Sequence, residues 1–284
     1  MRFFHSLLRP EENAGRAMRC VHRLWVFLWL TAFGLGIGLL SLYLTANSYA
    51  SIDAQALWES YFKLPLLVVM DLLLPLLVVY LGFFLFARPW AAYLLSAVPF
   101  LGLALASYYK IQLRGDPVLA SDLRLIRTAG GIMGNYTFEL TEPVKLVIAG
   151  FVGMLIFSVV LLRRERMSQR GRLVGLMAML TLTLASYFEL YTSADIYEKT
   201  ANNSLINPWS EVEIYLSRGT TYPFLYSVQD MFPNAPSGYR ESEATGTLAS
   251  YEDTDIPEEE KITVVGIMLE AFSDLTDFPV LDEI

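Results

Sequence analysis

The sequence predicts an all-α polytopic membrane domain of five transmembrane helices, followed by an extracellular linker and the opening strand of an α/β domain. Three observations carry this prediction: five long apolar runs almost free of charge, arginine clusters that recur on alternate sides of them, and an abrupt acidic shift after the last run. Composition agrees, because a 284-residue chain that is 54% hydrophobic and 13% aromatic departs from the usage of soluble globular domains.

A bilayer core about 30 Å thick needs roughly 20 apolar helical residues to cross it, since every backbone polar group must be paired within the segment. The runs cover approximately Leu24 to Leu44, Leu64 to Phe86, Trp90 to Tyr109, Val144 to Leu162 and Leu173 to Tyr191. Trp25, Tyr43, Trp90, Tyr108, Tyr109 and Tyr191 fall near their ends, where amphipathic rings favour the headgroup layer. Ser48 and Ala50 are spaced as a signal peptidase would require, but the first apolar run is longer than a signal's, which favours a retained anchor.

Orientation follows from the basic residues. Arg2, Arg9, Arg16, Arg19 and Arg23 precede the first run, Arg88 lies in the tight turn between the second and third, and Arg163, Arg164, Arg166, Arg170 and Arg172 lie between the fourth and fifth. With five spans all three groups share one side, and the positive-inside rule puts that side and the amino terminus in the cytoplasm. The tail from Thr192 is then extracellular. The lone cysteine, Cys20, excludes an intramolecular disulfide and reads as an incidental cytoplasmic thiol or a lipidation site.

Two polar features interrupt this pattern. Asp71 lies inside the second run between Pro65 and Pro75, where a carboxyl marks a functional site facing a polar cavity or, alternatively, a hydrogen bond to a neighbouring helix. The long connection from Lys110 to Pro143 carries its own signal: Ser121 or Asp122 is placed to cap a short helix in which Leu123 and Ile126 share a face, ended by Gly130 and Gly131. Arg114 and Asp122 on this connection are candidate lipid or interface contacts, the bland alternative being a solvated linker.

From Thr192 to Ile284 there are 18 acidic residues against 4 basic ones, so this stretch accounts for the net charge of -8; the acidic balance offers nothing to nucleic acid. Its prolines and glycines predict an extended connector over 192–260. Then Ile262-Thr263-Val264-Val265-Gly266-Ile267-Met268-Leu269 forms a β-branched apolar run with Glu270 at its end, the pattern of a buried parallel strand delivering a carboxylate to a sheet edge. The expected organisation is therefore 1–191 membrane domain, 192–260 linker and 261–284 the start of a further domain.

The run Val264 to Asp274, read through Leu269-Glu270-Ala271-Phe272-Ser273, resembles the opening catalytic strand of the lipoteichoic acid synthase family. These are phosphoglycerol transferases of the cell wall, with a sulfatase-like, alkaline-phosphatase-like α/β fold on a five-helix anchor in the bacterial cell membrane. Arg114-Gly115-Asp116-Pro117 with Ser121-Asp122-Leu123, and Tyr215 with Arg218-Gly219 and Phe224, are looser similarities. The resemblance implies that Glu270 ligates a divalent metal, usually manganese. It further implies that a metal-activated threonine moves glycerol phosphate from phosphatidylglycerol to a polyglycerol-phosphate or glycolipid acceptor. In that family the nucleophile and remaining ligands follow well after the glutamate, so here they are expected beyond Ile284. The sulfatase-like domain is expected to be truncated after its first strand, and the chain alone to be inactive. Phosphoethanolamine transfer, sulfate-ester hydrolysis and a non-catalytic membrane module are the alternatives.

Overall fold

The computed structural model describes residues 16–125, 137–162, 167–231 and 238–251, with the single positions 262 and 266. The five apolar runs are helices long and apolar enough to cross a membrane, covering Cys20–Ala46, Pro65–Phe86, Pro89–Arg114, Glu142–Leu161 and Gln169–Tyr191. The first span belongs to α1 (Arg16–Ala46), and α2 (Ala54–Lys63) is a short helix before α3 (Pro65–Phe86). The remaining spans are α4 (Pro89–Arg114), α5 (Glu142–Leu161) and α6 (Gln169–Ser186), the last continued by a π-helical turn over Tyr187–Tyr191. Proline opens α3 and α4 in the first turn, where its missing N–H removes no helical hydrogen bond.

The bundle is organised around α1, α3 and α4. A Cβ on Gly34 would sit 2.6 Å from the Leu76 Cα, and one on Gly38 would sit 2.4 Å from the Leu72 Cδ2. Two glycines four residues apart thus let α1 and α3 approach backbone to backbone, the contact that dispersion forces favour where lipid supplies no hydrophobic drive. Trp29, Phe33, Tyr93 and Phe157 fill the centre, with Trp29 and Phe157 ring centroids 4.0 Å apart. The outer helices are less enclosed. Only 17% of the span in α5 and 6% of that in α6 is buried, and Val160, Leu173 and Phe188 project outward as lipid-facing side chains do.

Beyond the spans the structure differs from the extended connector that the sequence predicts. Residues after Thr192 form α7 (Ala194–Lys199), α8 (Glu211–Ser217), α9 (Thr221–Tyr226) and two 3-10 turns, Asn203–Leu205 and Ser227–Met231. They belong to the same compact unit as the bundle, which runs from Met1 to Pro233. Each piece is too short to show periodicity, and each of the first two helices starts on a serine whose hydroxyl accepts a backbone N–H: Ser193 from Ile196 at 3.3 Å and Ser210 from Glu213 at 3.3 Å. Pro223 lies in the first turn of α9, where it does no damage.

A second unit covers Asn234–Ile284, in which α10 (Glu241–Ala249) is described. No strand occurs among the described residues. Of the expected strand only Ile262 and Gly266 are described, and its remaining positions, with Glu270, lie outside the described residues.

Candidate functional site

Most of the buried polar residues of unit one lie at one end of the bundle, where α1, α4 and α6 finish and α3 begins. Asp71 stands at its centre, fully buried in the second turn of α3. Pro75 lacks the N–H that would pair with the Asp71 carbonyl, so this turn of α3 is loosened at its backbone as well as polar at its side chain.

The carboxylate is engaged by chain from far away in sequence. Its Oδ1 accepts the backbone N–H groups of Thr221 at 3.0 Å and Tyr222 at 3.3 Å, which open α9. A carboxylate on the first N–H groups of a helix satisfies donors that the helix cannot pair itself, and suits the positive end of its dipole. Close approach requires Gly219. At φ 89 it takes a left-handed turn, and a Cβ there would lie 2.3 Å from the Asp71 Oδ2. Of the two readings of Asp71, hydrogen bonding within the fold matches this geometry, but the partner is the backbone of the segment after the last span rather than a neighbouring helix.

Hydroxyls and amides extend the layer around this contact. Thr45 and Thr220 pair through their hydroxyls, Tyr61 donates to the Leu216 carbonyl at 2.7 Å, and Tyr191 donates to the Met70 carbonyl at 2.6 Å. Buried Asn202 donates to the Ser60 hydroxyl at 2.8 Å and to the Ser217 carbonyl at 3.2 Å. The π turn that ends α6 is what points Tyr191 inward. Arg218, 6% exposed, is held by the Tyr197 and Ile214 carbonyls at 3.3 Å and 3.2 Å and lies 4.3 Å above the Tyr197 ring, so a buried cation is stabilised by dipoles and a π face.

The loop after α4 joins the same layer. Gly115 ends α4 in a left-handed turn, and the chain then forms a 3-10 turn over Ala120–Leu125. Asp122 does not cap forward as the sequence predicts. It reaches back, accepting the Leu119 N–H at 2.8 Å and the Lys110 ammonium at 2.7 Å. Tyr215 donates to the Val118 carbonyl at 3.0 Å and the Thr220 carbonyl at 3.2 Å, the Ala120 N–H donates to Ser227 at 3.0 Å, and Arg124 donates to the Met231 carbonyl. Burial drives the Tyr215 phenol well above its ordinary pKa, with the Asp71 charge adding in the same direction, so it stays a donor across the physiological range.

The structure therefore brings together Asp71, Asp122, Tyr215, Arg218 and Gly219, while Arg114 stays exposed at the end of α4. Ile126, Gly130 and Gly131 lie outside the described residues. Compared with known protein families, curated proteins and solved structures, the chain matches none.

Chemically, this layer is a fastening. Its carboxylate is saturated on one oxygen by backbone amides and pressed on the other by a glycine, and no group of three His, Cys, Asp or Glu able to hold a metal occurs among the described residues. Removing the loop's acceptor tests one part of it. Asp122→Ala should speed amide hydrogen exchange over residues 116–125 by several fold, at a cost of about 1 kcal/mol for this partly exposed pair, whose side chains are 22% and 28% accessible, and leave exchange in the spans unchanged.

Proposed function

We propose that this chain is the membrane module of a phosphoglycerol transferase of the lipoteichoic acid synthase type, with its amino terminus in the cytoplasm and the segment after α6 outside the cell. The observation that carries the reading is the run from Val264 to Asp274, in which Glu270 ends an apolar strand pattern as a metal-binding carboxylate would. Five spans before it give support, since a transferase acting on phosphatidylglycerol must work at the bilayer surface. Further support is that the two looser motifs, around Gly115 to Leu123 and Tyr215 to Phe224, are neighbours in space through Tyr215 and Val118.

The described residues do not fit a divalent metal, and a single carboxylate at Glu270 does not make a catalytic site, which needs about three protein ligands. The part assigned to this chain is placement: it anchors the outer segment and fixes the point from which the sequence toward Glu270 departs.

The test is lipid chemistry in proteoliposomes. The protein, expressed with whatever its native reading frame encodes after Ile284, is reconstituted with headgroup-labelled phosphatidylglycerol and manganese. Diacylglycerol should accumulate, and Glu270→Ala should lower the rate by at least about a hundredfold, as losing a first ligand to a catalytic metal does. Turnover that survives Glu270→Ala would refute the assignment, and turnover of phosphatidylethanolamine or of an aryl sulfate, supplied in place of phosphatidylglycerol, would move the protein to another reaction. Wild-type protein with no turnover on any of these substrates would favour a non-catalytic membrane module.

A further inference from the structure

At the end of the bundle opposite Asp71, the start of α1, the end of α3 and the start of α6 enclose a cleft of about 230 Å³. It is lined by Arg23 together with Val26, Phe27, Phe83 and Met167. The walls are set before any ligand arrives: Phe27 stacks on Tyr80 with centroids 5.8 Å apart and meets Phe83 edge-on at 5.8 Å, while the Tyr80 hydroxyl donates to the Phe27 carbonyl at 3.1 Å.

Charge at this end is unbalanced. By sequence, the three helices that form the cleft carry Arg16, Arg19, Arg23, Arg170 and Arg172 at this end, joined by Arg88 at the neighbouring turn, and none of the three carries an acid there. Arg172 is committed to the last carbonyls of α3, donating to Phe84 at 3.3 Å and to Leu85. Arg23 makes no ion pair with any described residue. A guanidinium with no ion pair among the described residues, lining an otherwise apolar slot, matches a lipid phosphate with the glycerol and first acyl methylenes behind it, and basic pockets between spans hold anionic lipids in this way. The volume is too small for a whole lipid and suits that junction.

We infer that this cleft is a binding site for an anionic phospholipid of the arginine-side leaflet, with the phosphate on Arg23 and the chain against Phe27 and Phe83. The inference stands apart from the transferase reading, which rests on the run ending at Glu270.

Native mass spectrometry of the full chain in neutral detergent tests it, using phosphatidic acid, which carries the phosphate but no glycerol phosphate to donate. One phosphatidic acid should be retained per protein in preference to phosphatidylcholine. Arg23→Gln should weaken binding about tenfold, and Met167→Trp, which fills the slot but keeps the charge, should weaken it comparably. Arg240→Gln, in the other unit, should change nothing. A thermal midpoint within a degree or two of wild type in each variant keeps misfolding from mimicking the loss. Equal retention of phosphatidylcholine, undiminished binding in both cleft variants, or displacement by millimolar inorganic phosphate, which would make it a soluble-anion site, would each overturn the assignment.

Discussion

Asp71→Ala should lower the stability of the bundle by roughly 2–5 kcal/mol, because it leaves the first N–H groups of α9 buried without an acceptor. The loss should show as a drop of several degrees in the thermal midpoint in detergent and as new proteolytic cleavage between Ala201 and Met231, where the released segment would open. Asp71→Asn separates charge from geometry. An amide oxygen in place of Oδ1 still accepts from Thr221 and Tyr222, so the asparagine variant should keep more than half of what alanine loses. An alanine variant as stable and as protease-resistant as wild type would show that the carboxylate holds nothing in place.

Gly219→Ala should be at least as damaging, for two independent reasons. The backbone at φ 89 is strained for any side chain, and the new Cβ would fall 2.3 Å from the Asp71 Oδ2, inside the contact distance of the group it must pack on. Together these cost roughly 2–5 kcal/mol. Gly238 provides the comparison: it has nearly the same φ, 88, but nothing within 4 Å, so Gly238→Ala should pay only the backbone cost of about 1–2 kcal/mol and leave the bundle's midpoint alone. The pair Asp71→Ala with Gly219→Ala should be less destabilising than the sum of the single changes, since removing the carboxylate makes room for the methyl. Strict additivity in that double variant would mean the two residues do not meet.

The spans were legible because their physics is local. Twenty apolar residues in a row, closed by aromatics and arginines, state a membrane helix without reference to anything else in the chain, and the observed ends fall within a few residues of the expected ones. Asp71 was legible as an anomaly for the same reason, but its partner was not. Thr221 is 150 residues away, and no rule of spacing connects a carboxylate on the second span to a glycine turn after the fifth.

The prolines and glycines after Tyr191 suggest an extended connector, where residues 194–231 instead form short helices and turns. Helices of six or seven residues leave no periodic trace, and Pro223 and Gly219, which resemble breakers in a list, are a first-turn residue and a turn demanded by close approach. The signal present was capping. Ser210 and Glu213 have the spacing of a capping box, and the Ser210 hydroxyl does accept the Glu213 N–H, although the Glu213 carboxylate turns to the Asn207 N–H instead. Asp122 shows the same limit, since its residue type announced a cap while the Lys110 ammonium one turn from the end of α4 decided its direction.

Folding of residues 192–231 onto the bundle also changes what a pull on the downstream chain would meet. Drawn out, about 40 residues would give a leash of roughly 130 Å. Fastened by this layer, that slack is stowed, and tension arriving at Met231 meets first the loop after α4, through Arg124 and the Ala120–Ser227 hydrogen bond, and then the second span, through the Thr221 and Tyr222 amides on Asp71, before it reaches the fifth span to which the chain is joined covalently. The length of the leash is thereby set by hydrogen bonds made far from the covalent attachment, with the buried carboxylate among them.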